Sequence, residues 1–425
     1  MKEWKNYTAQ EFCLNVTDGT HDSPKPTELG HYLITSKHLQ NNAIDFTSAY
    51  KISEEDYQKV IKRSAVVQHD ILFSMIGTIG NTVRVKDPIV DYAVKNMAIF
   101  KMGGNELKSK WLYYWLKSSK SKEYISSRLA GSTQSYLTLD TLRNFPISAP
   151  SESEMQTIVS IISSLDNKIE LNRQINDNLE QQAQALYKSW FVDFEPFKDG
   201  EFMDSELGLI PKGWQVGTYE QIIQTTISGD WGKDIMTGNY THKVACVRGC
   251  DFQDMSIGVR GKTPERYIIE KNYQAKRLID NDVIVEISGG TSTISTGRVC
   301  LINADLLGKY NNDIVCTNFC KVVRPIQSYG AYLYYSWKYK YDCRVMFGYE
   351  NGTSGIKNFQ ISDFLSKEPV IIPSESSIKE FQTIIDTLQN NIQTNGSEIM
   401  KLESLRDTLL PKLMSGELKI NEIDC

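Results

Sequence analysis

Two stretches of the chain place apolar residues at steps that alternate between four and three positions. The first stretch runs from Ile158 to Trp190, and adding 223 to each position gives a second stretch that starts at Phe381. Alternating steps of this kind are typical of a coiled-coil seam, in which an occasional buried asparagine fixes the register at some cost in stability. The predicted seam consists of Ile158, Ile162, Leu165, Ile169, Asn172, Leu179, Leu186, Phe381, Ile385, Leu388, Ile392, Asn395, Ile399, Leu402, Leu409 and Leu413.

The two stretches predict two long helices, each about 40 residues and therefore roughly 60 Å long. Ser151, followed three residues later by Glu154, has the spacing of a capping box, and Ser374 with Ser377 begins the second stretch similarly. A single apolar stripe has to be covered in water. The matching seams therefore predict that the two helices pack antiparallel against each other, with a globular domain at each end of the pair.

The sequence also repeats upstream of each helix. Gly19 is answered by Gly229, the run that starts at Asp70 by the run that starts at Asp282, and Leu112-Tyr-Tyr by Leu333-Tyr-Tyr. The matches keep their order, and the offset between them grows only by jumps, as loop insertions would produce. An internal repeat of this kind predicts one module used twice in tandem.

Within each module, short β-prone runs alternate with turns rich in Gly, Asn and Asp. The predicted strands lie at 65–67, 70–75, 81–85 and 97–102 in the first copy and at 282–287, 297–302 and 319–323 in the second, and short buried helices are predicted at 111–116 and 332–337. Tyr113, Tyr114, Tyr334 and Tyr335 resemble an aromatic stacking platform, but their helical spacing favours a core position.

The predicted fold class is α+β: two tandem-repeated globular domains with pseudo-two-fold symmetry, separated by two long helices that form an antiparallel coiled coil. The predicted boundaries are 1–150 for the first domain, 151–192 for the first helix, 193–213 for a linker, 214–373 for the second domain, 374–416 for the second helix and 417–425 for a C-terminal tail.

The net charge of −5 divides unevenly along the chain. Residues 1–150 hold 19 Lys and Arg against 15 Asp and Glu, and residues 214–373 hold 18 against 16. Residues 151–213 hold 5 Lys and Arg against 12 Asp and Glu, and residues 374–425 hold 5 Lys and Arg against 9 Asp and Glu. The globular domains are thus mildly basic and the helices acidic, which is a weak electrostatic signature of nucleic-acid binding.

Other features of the sequence narrow the class of protein. No stretch approaches the roughly 18 apolar residues of a membrane span, and the start lacks the apolar core of a signal peptide, so we expect a cytoplasmic protein. Cys246 and Cys250, like Cys316 and Cys320, are spaced four apart and not as the C-x-x-C of a zinc knuckle. We interpret them as thiols and expect no metal site.

Several segments carry a family resemblance. Residues 185–197 read Ala-Leu-Tyr-Lys-Ser-Trp-Phe-Val-Asp-Phe-Glu-Pro-Phe, and residues 205–214 read Ser-Glu-Leu-Gly-Leu-Ile-Pro-Lys-Gly-Trp. The chain closes with Leu-Leu-Pro-Lys-Leu-Met-Ser-Gly-Glu-Leu at 409–418, and the loops that begin Asp18-Gly-Thr-His and Ser228-Gly-Asp-Trp fit the same pattern. Together these segments resemble the specificity subunits of type I restriction-modification systems, over essentially the whole chain.

The resemblance implies a protein without catalysis of its own. Each globular domain would be a target-recognition domain that reads one half of a split sequence in double-stranded DNA. The paired helices would set the gap and dock two methyltransferase subunits and two restriction subunits. The chain itself would bind no cofactor; S-adenosylmethionine, ATP and Mg²⁺ are expected on the partner subunits. The sequence also lacks an Asn/Asp-Pro-Pro-Tyr/Phe methylation signature and a Gly-x-Gly cofactor loop.

Candidate DNA contacts lie in loops that follow glycines. The loops after Gly131 and Gly352 carry hydroxyl, amide and ammonium groups, which suit contacts to phosphates and base edges, although an ordinary turn before the final strand is the alternative. His21, Trp231 and Lys233 are either DNA-facing or local turn residues. Arg84 and Arg298 either reach phosphates or are solvated strand residues. The full candidate set is His21, Arg84, Ser132, Thr133, Gln134, Trp231, Lys233, Arg298, Thr353, Ser354 and Lys357.

Three alternatives stay open on the sequence. The chain could serve a methylation-only system without a restriction subunit, or be an orphan that serves as a swap donor, and this distinction depends on the partners. It could be a coiled-coil scaffold or adaptor without DNA specificity. A two-domain DNA enzyme is disfavoured by the missing catalytic motifs.

Overall fold

The computed structural model describes residues 4–40, 42–131, 135–291, 293–352 and 356–418. These residues form two compact units. The first unit holds the described residues up to Asn167 and from Glu403 onward, and the second unit holds those from Lys168 to Leu402. Each unit therefore contains one α/β domain together with a part of each long helix.

The long helices are Glu152–Phe191 and Glu375–Ser415, one residue inside the predicted range at each end. Their starts are capped by serine. The Glu154 amide donates to Ser151 Oγ over 3.4 Å, and the Ser377 amide donates to Ser374 Oγ over 3.3 Å. These bonds satisfy backbone N–H groups that have no partner within the helix.

The α/β domain of the first unit is built from short strands and helices. Its strands are Lys5–Thr8, Asn15–Asp18, His31–Ile34, Leu39–Gln40, Ala43–Ile44, Lys51–Ile52, Ile71–Ser74, Thr82–Arg84, Tyr92–Val94, Met97–Lys101 and Pro146–Ala149. Its helices are Ala9–Phe12, the 3-10 turn Ser36–His38, Glu54–Ser64, Glu106–Lys117, Ser119–Ser127 and Leu139–Arg143.

The α/β domain of the second unit contains a longer set of elements. Its strands are Phe202–Ser205, Gly208–Pro211, Gln215–Thr218, Ile223–Ser228, Tyr240–Val247, Glu265–Ile269, Val283–Glu286, Ser288–Gly289, Val299–Leu301, Ile314–Cys316, Cys320–Pro325, Glu350–Asn351, Lys357–Phe359 and Pro369–Ile372. Its α-helices are Phe252–Ser256, Glu270–Lys276, Ala304–Leu307, Gly330–Asp342 and Ile361–Lys367, with 3-10 turns at Glu195–Phe197, Tyr219–Ile222, Gly249–Asp251 and Val345–Tyr349.

The two units share their sheet topology. Each has a four-stranded antiparallel sheet, which runs in the order Asn15–Asp18, Met97–Lys101, Ile71–Ser74, Thr82–Arg84 in the first unit and Ile223–Ser228, Cys320–Pro325, Val283–Glu286, Val299–Leu301 in the second. Each also has a three-stranded sheet whose central strand, His31–Ile34 or Tyr240–Val247, has one antiparallel and one parallel neighbour. The sequence repeat thus corresponds to a repeat in structure.

The predicted strand at 65–67 is wrong. These residues follow the end of the helix Glu54–Ser64 and are not paired in any sheet of the described residues. The Val67 amide instead donates to Asp70 Oδ2 over 3.0 Å, which closes a turn before the next strand. A carboxylate that captures a nearby amide competes with strand pairing, so the β-branched residues here do not form a strand.

The predicted linker 193–213 is more ordered than a plain connection. It contains the 3-10 turn Glu195–Phe197 and a hairpin of the strands Phe202–Ser205 and Gly208–Pro211. Of the helices in the described part of the chain, none is long and apolar enough to cross a membrane.

Aromatic residues of the short helices lie in the cores of the units. Trp111 and Trp337 are fully buried, and their indole N–H groups donate to the carbonyls of Ser148 and Gly297 at 3.1 and 2.9 Å. The four tyrosines are core residues too, Tyr113 half-buried and the other three buried: Tyr114, Tyr334 and Tyr335.

The seam positions face inward in both units. In the first unit Ile158, Ile162 and Leu413 share one hydrophobic core, and Asp166 Oδ1 accepts from Arg406 Nη1 over 3.0 Å. The buried seam residues are Ile158, Ile162, Ile169, Asn172, Phe381, Ile385, Ile392, Ile399 and Leu413, and the half-buried ones are Leu165, Leu179, Leu186, Leu388, Asn395, Leu402 and Leu409.

Candidate nucleic-acid interface

In the first unit, the loop with His21 follows the strand Asn15–Asp18. A Cβ at Gly19 would lie 2.3 Å from the carbonyl oxygen of Val94, so the chain can pass here only with a glycine. The ring of His21 then lies between two acceptors, with Nε2 2.9 Å from Asp18 Oδ2 and Nδ1 2.9 Å from Asn96 Oδ1. His21 thus makes the local contacts of a turn residue, and its side chain is 61% exposed.

Trp231 and Lys233 lie in the equivalent loop of the second unit. The guanidinium carbon of Arg266 lies 4.3 Å from the Trp231 ring centroid, and Arg266 Nε donates to the Trp231 carbonyl over 2.8 Å. Lys233 Nζ lies 5.7 Å from the Tyr240 ring centroid. Cation–π contacts of this kind hold the loop in shape and leave Trp231 38% exposed.

Arg266 organises this loop, although nothing in the sequence indicates it. Arg266 is 5% exposed and also pairs with Asp234, so its guanidinium is enclosed by the loop that it supports. No local pattern marks it, because an arginine in a strand such as Glu265–Ile269 is usually at the surface.

The two candidate strand arginines are held by protein acceptors. Arg84 is 14% exposed, with Nη1 3.2 Å from His69 Nδ1 and 4.0 Å from Glu106 Oε1. Arg298 makes a two-pronged contact with Glu286, from Nε at 2.8 Å and from Nη2 at 2.6 Å. Hydrogen bonding to Glu286 raises the pKa of Arg298. A phosphate would therefore have to compete with a carboxylate already in place.

Lys357 is paired in the same way. Its Nζ lies 2.7 Å from Glu350 Oε2, and Glu350 Oε1 accepts from the Thr296 amide and hydroxyl at 2.5 and 2.9 Å. Burial by itself raises the pKa of Glu350, but the bonds from Lys357 and Thr296 outweigh it and lower the pKa. The remaining candidates lie outside the described residues: Ser132, Thr133, Gln134, Thr353 and Ser354.

The four cysteines that are spaced four apart in the sequence differ in their burial. Cys246, Cys316 and Cys320 are buried, whereas Cys250 is exposed. Burial raises the pKa of Cys246 and of Cys320 to about 12, as expected for thiols in apolar surroundings. In the part of the chain that the structure describes, no group of three His, Cys, Asp or Glu side chains is placed to hold a metal ion.

Comparison with known proteins shows what the first domain is similar to. The sequence of residues 1–181 matches the family described as Type I restriction modification DNA specificity domain. Residues 1–181 are therefore similar to type I DNA specificity domains. The match covers the first α/β domain and most of the first long helix, so it includes the loop with His21 and the strand with Arg84.

Two specificity subunits are similar to this chain over most of its length. The MjaIX specificity subunit of Methanocaldococcus jannaschii is 27% identical over 366 residues, which cover 83% of this chain and 78% of the relative. The HindI specificity subunit of Haemophilus influenzae is 24% identical over 480 residues, which cover 98% and 100%. The similarity extends beyond the matched domain into the second unit.

A solved structure supports the fold. The S subunit of a type I restriction-modification system from M. genitalium aligns with a TM-score of 0.51 and 14% identity, covering 96% of each chain. At this identity the likeness concerns the fold alone, which is a mixed α/β architecture with long helices.

Proposed function

We propose that the chain is the non-catalytic DNA-recognition subunit of a type I restriction-modification complex. The observation that carries the proposal is the repeated domain, which has the same sheet order in both units and matches the DNA specificity family in its first copy. In this proposal the target-recognition domains 1–150 and 214–373 each read one half of a bipartite site in double-stranded DNA. Such a complex would act in the cytoplasm.

The helix pair would set the gap between the half-sites. In the second unit Asn176 and Asn395 form a hydrogen bond of 2.8 Å, and in the first unit Asp166 and Arg406 form an ion pair of 3.0 Å. These polar contacts support an antiparallel register of the helices within each unit. The length of a rigid helix pair sets the distance between the two recognition domains along the duplex. Both domains must also reach the same face of the DNA, so the helix length fixes the gap between the half-sites. Two weakly basic readers gain affinity because they are linked.

The partners would be two methyltransferase subunits and two restriction subunits. S-adenosylmethionine, ATP and Mg²⁺ would be held by those subunits and not by this chain. Residues 151–213 and 374–425 hold more Asp and Glu than Lys and Arg, and an acidic helix surface favours a protein partner over DNA. A methylation-only complex would lack the restriction subunits.

The second candidate is a coiled-coil scaffold or adaptor without DNA specificity. One observation favours it: Arg298 and Lys357, which suit phosphate contacts, are both engaged by carboxylates of the protein.

Methylation mapping separates the two candidates. The chain would be co-expressed with the methyltransferase subunit of its own genome, and methylated adenines would be mapped in bulk DNA by long-read sequencing. We expect a single bipartite motif with a fixed gap. A heptad inserted into both helices should lengthen the gap by about three base pairs, since seven helical residues span roughly 10 Å. A complex that assembles but methylates no motif would support the scaffold instead.

A further inference from the structure

The second long helix has a glycine at its centre, Gly396. Glycine is unfavourable in a helix interior relative to alanine, and the equivalent position of the first helix, 223 residues earlier, holds Arg173. A Cβ at residue 396 would lie 2.1 Å from the carbonyl oxygen of Gly258. The glycine is therefore required by a backbone that approaches the helix, and not by the helix itself.

The approaching backbone belongs to the turn Ile257–Val259, which we name the docking turn. It follows the helix Phe252–Ser256 of the second α/β domain. Its Gly258 has φ +72, and a Cβ there would lie 2.5 Å from the carbonyl oxygen of Ile392. Two glycines thus face each other where the domain meets the second helix, and both positions exclude a side chain.

Polar side chains of the domain and of the first helix donate hydrogen bonds to the docking turn. Lys309 Nζ donates to the Gly258 carbonyl at 2.6 Å and to the carbonyl and side-chain oxygens of Gln393 at 2.7 Å each. These three acceptors match the three protons of an ammonium group. From the first helix, Asn176 Nδ2 donates to the Ile257 carbonyl over 2.9 Å. The docking turn is therefore hydrogen-bonded to the first helix directly and to the second helix through Lys309.

An apolar cluster completes the contact. Val259 is buried in one cluster with Ile169 of the first helix and Ile399 of the second. A separate and larger core, which includes Tyr187 and Phe381, joins the same domain to the helices further along. Asn176 and Tyr187 are eleven residues apart, which is about 16 Å along a helix. The domain thus contacts the helices at two places. A domain held at one place could still rotate relative to the helices, and the second contact prevents that rotation.

We propose that the docking turn and Lys309 are positioning elements that fix the direction in which the second target-recognition domain presents its DNA-reading loops. They would thereby determine which gap between the half-sites the complex accepts. This inference rests on the proposed function and deepens it. It assigns gap selectivity to contacts within the second unit as well as to the length of the helices.

Two variants test the inference in the full chain assembled with its methyltransferase subunit. Gly396→Ala favours the helix but displaces the docking turn. Lys309→Met keeps the length of the side chain but removes its three donors. The matched controls are Thr394→Ala, an exposed position of the same helix, and Lys271→Met, an exposed lysine of the same domain. Lys309→Arg retains donors and should rescue in part.

Competition binding would use duplexes that carry the mapped motif with its own gap or with one base pair more or less. We expect both variants to reduce the preference for the native gap by about tenfold or more, within the range that a single mismatched position contributes. The controls should keep the preference. Base preference within the second half-site should not change, because the reading loops themselves are intact.

The outcomes are separable. Variants that keep the parent's gap preference, or that weaken binding to all gaps equally, would overturn the inference while the proposed function stands. A parent complex without a bipartite motif would overturn the proposed function and this inference with it. If Lys309→Met fails to fold, Gly396→Ala carries the test, since alanine favours the helix.

Discussion

Asn395 Nδ2 donates a hydrogen bond to Asn176 Oδ1 over 2.8 Å, and so joins the two long helices within the second unit. Asn172, which occupies the seam position equivalent to Asn395, donates instead to Glu398 Oε2 over 2.7 Å. Equivalent positions of an antiparallel pair do not face each other unless they lie at its centre. The polar positions of the seam therefore find partners that the repeat alone does not indicate.

Removal of this bond should destabilise the second unit. Asn176 is 1% exposed, so Asn395→Ala would leave its carbonyl oxygen buried without that donor. We expect the free energy of unfolding to fall by about 1–3 kcal/mol, the cost of an unsatisfied buried polar group. Urea denaturation followed by circular dichroism would measure it. Asn390→Ala, an exposed position of the same helix, is the control, and an equal effect there would contradict the prediction.

A buried carboxylate, Glu180, gives a stronger prediction. It accepts from the hydroxyls of Tyr334 and Tyr335 at 3.2 and 2.9 Å and from Lys338 Nζ at 2.7 Å. Lys338→Met would leave the charge of Glu180 without its cation, and we expect a loss of about 3–5 kcal/mol in the free energy of unfolding.

The matched control for Lys338 is Lys367→Met. Lys367 forms an exposed pair with Asp363 over 2.7 Å, and such pairs contribute at most about 1 kcal/mol. The double change Glu180→Gln with Lys338→Met should recover part of the lost stability, because no buried charge remains. Failure of the double variant to recover any would show that the loss arises from packing.

The surroundings of His31 indicate that the stability of the first unit depends on pH. Its ring stacks on Tyr57 with 3.8 Å between ring centroids, and its two nitrogens contact Glu54 and Asp91. Desolvation, the largest single effect, lowers the pKa of His31, but the two carboxylates together outweigh it and raise the pKa. The stabilisation is then fully present below the unfolded pKa of about 6.5 and is lost as the pH rises through the folded value.

Thermal melting of the chain between pH 5 and pH 9 would test this sign. We expect the transition of the first unit to move to lower temperature as the pH rises above about 6.5. His31→Gln should remove that part of the pH dependence, whereas His69→Gln should retain it. A His31→Gln profile that is parallel to the parent profile would contradict the prediction.

Lys233 and Lys357 should differ in their effect on DNA binding. Among the described residues Lys233 has no carboxylate partner, whereas Lys357 is paired with Glu350. If Lys233 contacts a phosphate, Lys233→Ala should reduce the slope of log affinity against log salt by about one. Lys357→Ala should leave the slope nearly unchanged. The measurement is anisotropy titration of the assembled complex at several salt concentrations, and equal slopes for the two variants would contradict it.

The histidines show how far the sequence could predict such sites. His31 and His242 occupy matching places in the two copies, 211 positions apart. The structure stacks His242 on Tyr273 with 3.6 Å between ring centroids, as it stacks His31 on Tyr57. His242 also lies between two carboxylates, at 2.9 Å from Glu270 and 3.5 Å from Asp313. The sequence indicated the paired histidines but not their partners, which lie 23 or more residues away.

The sequence by itself determined the features that depend on local periodicity. The heptad frame and the serines before it predicted the helices Glu152–Phe191 and Glu375–Ser415, because a helix, its cap and its apolar stripe are all set by neighbouring positions. The internal repeat likewise indicated one fold used twice. Aromatic residues at helical spacing, such as Tyr114 and Tyr335, were correctly placed in the cores.

Only the tertiary structure decided which partners the charged side chains bind and where distant backbone segments come into contact. Arg298 is held by Glu286, and His21 by Asp18 and Asn96, and the sequence, which marks both as candidate DNA contacts, indicates neither set of partners. Gly396 meets Gly258 across 138 positions of sequence. These contacts join residues with no shared periodicity, so their energies depend on distances and burial that arise only once the chain is folded.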